Sequence, residues 1–490
     1  MKKEELLMNR LRRYEATDMY PFHMPGHKRL KAEELEFPNP YWVDITEIEG
    51  FDNLHHPEGI LKDSMEWASA LYGSDRTWYL VNGSTCGLLS AISAAVPHGG
   101  KILVSRNCHK AVYHGIYLNH LEAVYIYPQS VPGLGIQGGI LPEDVEKALK
   151  EERDIQAVLI VSPTYDGIVS DVRAIAHIAH KVGLPLIVDE AHGAHFAYGD
   201  AFPQSALKLG ADAVIQSVHK TLPSLTQTAL LHVKNNRPDG GCYLDTGKIE
   251  RYLQIYQSSS PSYVRMASIE NGIFVMDQYR KEGKVEAFTE QLKELRRELE
   301  KMKCLRLVER SLSGSAGIYD VDISKIVISV RGTGISGETL SDWLREKYHL
   351  EMEMCGADYV TAIAAIGDRP EGLERLKRAL LEIDRELEKN GKCGSVESNL
   401  ESVYSRHAEA VMPIFQAMDS EKEEILLDKS ENCISGEFAY IYPPGIPLLA
   451  PGERITGEIL KTLRDYIRKQ LPVQGLADHE LSRIQVVKNS

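Results

Sequence analysis

Three short segments of this 490-residue chain place reactive or ligand-binding side chains directly after apolar runs. In the first, residues 82–87 (NGSTCG) follow TWYLV and lead into LLSAISAAV. Glycine lets the backbone approach a ligand closely, and Ser84, Thr85 and the free amides of a first helical turn can bind a phosphate. The same Gly-Ser-Thr turn is common as a plain helix N-cap, so this segment alone leaves both interpretations open.

The second segment is an aspartate at the end of an apolar run. Asp189 closes PLIVD (185–189) and precedes Glu190, Ala191 and His192. A carboxylate at the end of a buried strand is partly desolvated and stays ionised only beside a cationic partner. A protonated pyridine nitrogen is one such partner, and a capping role at the strand end is the simpler alternative.

The third segment carries a lysine among small polar residues. Lys220 lies in QSVHKT (216–221) and follows the run AVIQS. In a partly apolar crevice a lysine has a lowered pKa and can form a Schiff base with an aldehyde. Most lysines are solvated surface groups, so Lys220 becomes a candidate only together with the phosphate turn and with Asp189, thirty-one residues before it.

Short apolar runs rich in β-branched residues supply the strands that would position these side chains. Amphipathic stretches of helical length, such as 142–151 and 171–181, lie between them. This alternation predicts an α/β fold with a mostly parallel sheet, in which ligands bind at the carboxyl ends of the strands. The last two runs are separated by a short connection and predict an antiparallel edge. The seven runs are 77–81, 101–105, 122–127, 156–161, 185–189, 213–217 and 228–233.

Changes of pattern divide the chain into four predicted parts. A long helix over 264–302 should lead out of the large domain, and the stretch 388–402, rich in Gly, Ser and charge, is the expected linker. Between them we expect strands near 304–309, 325–330, 350–354 and 359–366, with helices at 336–347 and 370–388. The parts are an N-terminal segment (1–60), a large domain (61–300), a small α+β domain (301–388) and a C-terminal domain (403–490).

The composition is that of a soluble enzyme and argues against two other classes of protein. The formal net charge of −14 disfavours a nucleic-acid-binding protein, which needs a basic face. No apolar run approaches the length of a membrane span, and the charged start of the chain predicts no signal peptide. The seven cysteines are scattered without a CxxC pair, which predicts reduced thiols and a cytoplasmic location.

Longer strings around these segments resemble the bacterial ornithine/lysine/arginine decarboxylases, and the resemblance runs nearly end to end. It is closest to the short-form arginine decarboxylases. It implies an aspartate aminotransferase-like (fold type I) large domain with a seven-stranded sheet, and pyridoxal 5′-phosphate (PLP) as cofactor. The strings are PFHMPGHK (21–28), DNLHHPEGILKDS (52–64), SRNCHKAV (105–112), SPTYDG (162–167), DEAHGAHF (189–196), SVHKTLPSLTQ (217–227) and YPPGIPLLAPGE (442–453).

The resemblance also implies roles for individual residues. Lys220 would carry the cofactor as a Schiff base, Asp189 would pair with the ring nitrogen, and His109 would stack on the ring. Ala191 and His192 would lie on the other side of the ring, although larger family members carry a tryptophan at the position of His192. The phosphate would be bound by Ser84, Thr85, Ser217 and His219.

The implied reaction is decarboxylation of a basic amino acid. The cofactor accepts the electrons of the broken bond, and the protein supplies orientation and electrostatics. After CO₂ leaves, an acid returns a proton to Cα, with Lys220 and His219 as candidates. Transamination or side-chain elimination by a related fold, and PLP binding without turnover, are the alternatives.

The resemblance ranks the substrates as arginine, then lysine, then ornithine, without a physical ground in the residues. The carboxylates Glu47, Glu49, Asp52 and Glu58 flank the N-terminal strings and are candidates for binding the distal cation, with solvated surface roles as the alternative. A homodimer or larger homo-oligomer is implied. The serines at 258–260 (SSS) would reach the phosphate of the neighbouring subunit.

Two other interpretations of the same residues do not hold. Residues 189–192 spell the DEAH of helicases, but the chain has no GxxxxGK[ST] phosphate loop and is acidic. His192 and His195, with the N-terminal histidines, could suggest a metal site, but no HExxH pattern is present. We therefore expect neither nucleic acid nor metal as a ligand.

Overall fold

The N-terminal segment joins a part of the chain more than three hundred residues away. The computed structural model describes residues 6–31, 34–131, 133–394, 409–441, 446–468 and 471–488. The first elements are helix α1 (Leu7–Glu15), strand β1 (Tyr20–Phe22) and helix α2 (Pro40–Val43). Strand β1 pairs in parallel with Leu350–Met352, and Phe22 is fully buried. The loop that follows β1 is thereby held beside the central sheet.

A seven-stranded sheet forms the centre of the fold and confirms the predicted fold class. Its interior positions are almost all buried, because helices cover both faces. In chain order, the strands of this region are β2 (Arg76–Leu80), β3 (Lys101–Ser105), β4 (Glu122–Ile126), β5 (Ile155–Val161), β6 (Ile168–Val169), β7 (Leu186–Asp189), β8 (Ala213–Ser217) and β9 (Ala229–Val233). Strand β6 lies outside this sheet, and the order within it is β2-β9-β8-β7-β5-β3-β4.

The two helices predicted over 142–151 and 171–181 form within one residue of those bounds. Asp171, for example, accepts a hydrogen bond from the Ala174 amide and so caps the helix that follows it. The helices are α3 (Ile60–Tyr72), α4 (Gly83–Ala95), α5 (Lys110–Leu118), α6 (Pro142–Glu151), α7 (Val172–Lys181), α8 (Ala206–Leu209), α9 (Val218–Thr221), α10 (Thr246–Tyr256), α11 (Tyr263–Lys281) and α12 (Lys284–Leu299).

Two predictions about this region are wrong. Strand β9 is antiparallel to β8 as predicted, but it is not an edge, because β2 pairs with its other side. The long helix expected over 264–302 is two helices, since the chain turns at Gly283, whose φ of +73° is left-handed. Strand order and this break depend on tertiary packing, which an apolar run does not reveal.

A second, four-stranded antiparallel sheet follows, in a unit that we call the small domain (306–389). Its sheet order is β10-β12-β15-β14. The predicted strand near 350–354 is two short strands, and the first of them pairs with β1 instead of joining this sheet. The elements are β10 (Arg306–Leu307), β11 (Asp320–Val321), β12 (Lys325–Ser329), α13 (Gly337–Tyr348), β13 (Leu350–Met352), β14 (Met354–Cys355), β15 (Tyr359–Ile363) and α14 (Pro370–Lys389).

The prediction that all cysteines are reduced is also wrong, because Cys304 and Cys393 form a disulfide with a Cα–Cα distance of 4.7 Å. Asp384 of helix α14 accepts hydrogen bonds from the amides of Lys303, Cys304 and Leu305. This contact brings the start of the small domain to the end of the same helix, where Cys393 follows. The 89-residue separation hides the pair in the sequence.

The C-terminal elements pack on the large domain near the end of strand β3. The Arg106 guanidinium donates to the Glu453 carboxylate at 3.0 Å, and both side chains are buried. The predicted linker residues after 394 lie outside the described residues. The elements are α15 (Ile414–Asp419), β16 (Lys422–Leu426), β17 (Ala439–Ile441), β18 (Ile446–Leu449), α16 (Gly457–Arg468), β19 (Val473–Gln474) and β20 (Arg483–Val487). Among the helices described, none combines the length and apolarity needed to cross a bilayer.

Candidate active site

A cavity of about 530 Å³ opens where the central parallel strands end. In the sheet register Val161, Asp189 and Ile215 lie side by side, so the residues that follow β5, β7 and β8 meet at one edge. All nine residues predicted to bind the cofactor or to take part in catalysis line this cavity: Ser84, Thr85, His109, Asp189, Ala191, His192, Ser217, His219 and Lys220. The fold therefore brings the three sequence segments together.

Lys220 lies on the short helix α9, directly after strand β8. Its Nζ donates a hydrogen bond to His192 Nε2 at 3.0 Å, because burial lowers the pKa of His192 and leaves that ring neutral. Burial likewise lowers the pKa of Lys220, while the charges of Asp189 and Glu353 oppose this shift. A sheltered amine of this kind is a nucleophile for carbonyl compounds.

Asp189 is the last residue of β7 and is buried beneath the same cavity. Burial raises its pKa, and the nearby charge of Lys220 and the hydrogen bond from the Ala191 amide, 3.2 Å from Oδ1, counteract the increase. One backbone donor satisfies only part of a buried carboxylate. The site is thus suited to a ligand that brings a positive charge to Asp189.

His109 is fixed by the start of helix α5. Its Nδ1 accepts a hydrogen bond from the Ala111 amide at 3.2 Å, so Nε2 carries the ring proton. Burial, reinforced by the charges of Lys220 and Lys110, lowers the pKa of His109 to about 3. The imidazole is therefore neutral and presents a rigid flat ring to the cavity.

The turn at 82–87 is not the plain N-cap that the sequence left open. The N-cap position is Asn82, whose side chain makes no capping hydrogen bond, and helix α4 already begins at Gly83. Ser84 and Thr85 therefore lie within the first turn, beside amides that have no helical partner. Ser84 Oγ lies 2.7 Å from Ser217 Oγ, which joins this helix start to the end of strand β8.

His219 adds a further neutral polar group to this side of the cavity. Its Nδ1 donates to the Thr228 carbonyl at 2.9 Å, so Nε2 is the unprotonated nitrogen. Burial lowers the pKa of His219 to about 4. The two serines and the helix start form a cradle of donors that suits a phosphate, and His219 lies beside it.

Several other residues nominated from the sequence do not line the cavity of this chain. Glu47, Glu49 and Glu58 are exposed, and Asp52 accepts hydrogen bonds from the amides that begin helix α3, including those of Gly59 and Leu61. The serines at 258–260 are exposed, with the Ser258 amide 3.3 Å from Asn82 Oδ1. His195 pairs with Asp322 at 3.3 Å.

Several other residues of the cavity wall were given no role from the sequence, and five of them bear on the site. Asn107 lies two residues before His109, and its buried Oδ1 has no hydrogen-bond partner among the residues described. Tyr165 and Asp166 belong to the string SPTYDG, which contributed to the family resemblance. Neither residue was assigned a role from the sequence. Glu353 comes from the small domain and Ile446 from strand β18, and no local pattern marks either.

Comparisons with known proteins identify the family of the chain. The family model described as "Orn/Lys/Arg decarboxylase, major domain" matches residues 6–371, and the corresponding C-terminal domain model matches residues 398–473. An arginine decarboxylase of Halalkalibacterium halodurans is 34% identical over 474 residues, covering 95% of this chain and 94% of that protein. An arginine decarboxylase of Bacillus subtilis is 30% identical and covers 99% of this chain and 98% of its own length.

Solved structures share the fold at lower identity. A lysine decarboxylase of Francisella novicida has a TM-score of 0.75 and 20% identity, covering 98% of this chain and 81% of that one. A ureidoglycine-glyoxylate aminotransferase of Bacillus subtilis has a TM-score of 0.55 and 15% identity, covering 80% of this chain and 98% of that one. The family match spans most of the chain and the fold agrees with it: the chain belongs to the Orn/Lys/Arg decarboxylase family.

Proposed function

We propose that this protein removes the α-carboxylate of a basic L-amino acid with PLP as cofactor, and that arginine, giving agmatine, is preferred over lysine and ornithine. The observation that carries the proposal is the sheltered Lys220 amine in the same cavity as the buried Asp189 carboxylate. Family membership and the arginine decarboxylases among the relatives support the reaction and the order of substrates.

The residues present fit PLP on three counts. The start of helix α4, with Ser84, Thr85 and Ser217, offers neutral donors for a phosphate, and His219 would contact the phosphate from the same side of the cavity. Asp189 would bind the protonated ring nitrogen and His109 would pack on the ring. The unsatisfied Asn107 Oδ1 in the cavity wall is a polar atom that a ligand hydroxyl could satisfy.

Different residues of the chain would perform different parts of the reaction. When bound, PLP supplies an electron sink for the pair released as CO₂ leaves. Asp189 keeps the proton on the ring nitrogen, because a buried carboxylate favours a cationic partner. Lys220 would hold the cofactor through its Nζ and, once free, would return a proton to Cα, with His192 Nε2 3.0 Å away to accept a proton from the amine.

A product assay tests the proposal. We expect the purified protein, loaded with PLP, to release CO₂ and the corresponding amine from arginine, and more slowly from lysine and ornithine. Formation of a keto acid without CO₂ would instead identify a transaminase, and no product with intact cofactor absorbance would identify a non-catalytic binder. Borohydride reduction followed by peptide mapping should place the pyridoxyl mass on Lys220, and Lys220→Ala should abolish it.

Assembly and location are part of the same proposal. We infer a homodimer or larger homo-oligomer in the cytoplasm, with the exposed serines at 258–260 reaching the phosphate of the neighbouring subunit. The serines are exposed and therefore accessible to a neighbouring subunit, and the Ser258 amide donates to Asn82 Oδ1 at the start of the phosphate turn of its own subunit. Size-exclusion chromatography with light scattering tests the assembly. Cofactor affinity in Ser258→Ala tests the contact.

A further inference from the structure

The cavity has a second acidic wall that the cofactor roles leave unused. Three carboxylates line it, and Asp189 lies at the end of the sheet. The other two are Asp166, in the loop after strand β5, and Glu353, between strands β13 and β14 of the small domain. Neither is among the carboxylates that the sequence nominated for the distal cation.

Asp166 is a buried carboxylate whose hydrogen-bond donors are neutral. Its Oδ2 accepts from the Tyr359 hydroxyl and its Oδ1 from the Thr361 hydroxyl, both at 3.3 Å. Burial raises the pKa of Asp166 to about 6, although these hydroxyls and the charge of Lys325 lower it. Within the described ranges no Lys, Arg or His lies within ion-pair distance of Asp166, and Lys325 acts on it only from beyond that distance, so a bound cation would supply a direct countercharge.

Glu353 is held rigidly but keeps acceptor capacity. Its Oε2 accepts from the Met24 amide at 2.6 Å, and its Oε1 accepts from the Tyr165 hydroxyl. A carboxylate has about four lone-pair sites, so two remain for a ligand. As for Asp166, both donors are uncharged, and Tyr165 is the neighbour of Asp166 in the chain. The two carboxylates therefore belong to one region of the wall.

A continuous series of contacts connects this wall to the reactive amine. Lys220 Nζ lies 3.0 Å from His192 Nε2, and the His192 ring centroid lies 4.7 Å from that of Tyr165. The Tyr165 hydroxyl then donates to Glu353. The acidic wall is thus separated from Lys220 by two aromatic side chains, a span that suits a substrate whose cation lies several bonds from its α-amine.

We propose that Asp166 and Glu353 together bind the distal cation of the substrate and so determine specificity for basic amino acids. The inference rests on the proposed decarboxylation and names its recognition site. A planar guanidinium with five N–H donors can bridge two carboxylates, whereas a neutral side chain of the same shape leaves both charges unpaired. The pair therefore favours arginine.

The same contacts are also consistent with a purely positioning role. Asp166 connects the loop at 162–167 to strand β15, and Glu353 connects the same loop to the N-terminal loop. Charge recognition and positioning are separated by comparing arginine with citrulline, its neutral isostere. Asp166→Asn and Glu353→Gln keep the shape and one of the two acceptor oxygens but remove the charge. Glu351→Gln is the matched control, because it makes the same change two residues away in an ion pair with Arg345, outside the cavity lining.

We expect each of the two variants to lower kcat/KM for arginine by about 10- to 100-fold, mainly through KM, as for loss of a charged hydrogen bond. The value for citrulline should change much less, so the preference for arginine collapses. Glu351→Gln should resemble the wild type with both substrates. Equal bands of bound PLP in the visible spectrum would establish that all variants are loaded.

Calorimetry measures the binding of propylguanidinium and does not need turnover. The affinity of propylguanidinium for the PLP-loaded protein should fall in both cavity variants. Parallel losses with arginine and citrulline, or an unchanged preference, would overturn the inference while the decarboxylase function stands. If the wild type releases no CO₂ from any basic amino acid, the proposed function fails. Weaker propylguanidinium binding in both variants would then still support the cation site, and unchanged binding would reject it.

Discussion

Burial acts on Asp189 and Lys220 in opposite directions within one cavity. It raises the pKa of the carboxyl group and lowers that of the amine, because each ionised form loses its hydration. The charge of each group partly opposes the pKa shift of the other. This balance suits an amine that must become neutral to attack a carbonyl and a carboxylate that must hold a ring cation.

Asp189→Asn should abolish most of the activity without unfolding the protein. The amide is nearly isosteric and can still accept from the Ala191 amide, but it cannot hold a proton on the ring nitrogen. We expect kcat to fall by about 100-fold or more, measured as CO₂ release from arginine with PLP in excess. Asp171→Asn, which keeps a helix cap outside the site, should retain activity. A D189N enzyme with normal kcat would contradict the role.

Glu190 lies next to Asp189 in the chain but does not line the cavity. Its carboxylate accepts from the Ala206 amide, the Ser205 hydroxyl and the Gln216 amide, and burial raises its pKa to about 7. The folded state therefore holds this proton more tightly than the unfolded state. The resulting contribution to stability is largest at low pH and decreases as the pH rises from the ordinary carboxyl range through about 7.

Glu190→Gln removes this titration. Between about pH 5.5 and 8.5 the free energy of unfolding of the variant should gain about 2 kcal/mol relative to the wild type. Urea unfolding of both proteins across that range measures the difference, and all other titrating groups cancel in the comparison. A difference that does not change with pH would show that Glu190 keeps an ordinary pKa.

A residue of the site could be predicted where its neighbours in the chain mark its position. It could not be predicted where only contacts in space do so. Asp189 and Lys220 each directly follow a strand that apolar residues mark, so their place at the sheet edge can be inferred from neighbours in the chain. Glu353 cannot be found in this way, because its contact with Tyr165 spans nearly two hundred residues. Asp166 lay within a recognised string, but only its neighbours in space indicate a role.

Among the elements, the buried strands were predictable and their order was not. Each of the seven runs forms a strand within one or two residues of its predicted bounds, because burial on both faces demands continuous apolar character. The place of β9 between β2 and β8 depends on which strands pair, and this cannot be inferred from the residues of one strand. The turn at Gly283 likewise lies inside an otherwise helical pattern.

Close contact between two loops makes Gly26 a sensitive position. Its amide donates to the His219 carbonyl at 2.7 Å, and a Cβ at Gly26 would lie 2.7 Å from the Leu222 carbonyl oxygen. These contacts are with backbone, so a methyl group cannot be accommodated without moving the segment that carries Lys220. Gly26→Ala should therefore lower the free energy of unfolding by about 1–3 kcal/mol and reduce kcat.

Gly241→Ala is the control for this substitution. A Cβ there would meet only the Asp239 and Arg237 side chains in an exposed loop, and both can move aside. Thermal unfolding and steady-state kinetics of the two variants measure the effect. Equal behaviour of G26A and G241A would show that the N-terminal loop does not hold the lysine segment in place.

On the scale of the whole molecule, the cavity is built from every part of the chain. Met24 comes from the N-terminal loop, Glu353 and Tyr359 from the small domain, and Ile446 from the C-terminal elements. The central sheet alone would leave the cavity open on these sides. The relative placement of the parts therefore matters to the site as much as the residues at the strand ends.

The buried ion pair between Arg106 and Glu453 is the contact through which the C-terminal elements bear most directly on the site, because Asn107 and His109 follow Arg106. Glu453→Ala would leave a buried guanidinium without its counterion, which costs about 3–5 kcal/mol of unfolding free energy. We expect kcat to fall as well, since the segment carrying His109 loses its anchor.

Glu409→Ala is the matched control, because its exposed pair with Arg454 should contribute less than about 1 kcal/mol. Similar losses in the two variants, measured by urea unfolding, would show that the C-terminal elements do not stabilise this edge of the site.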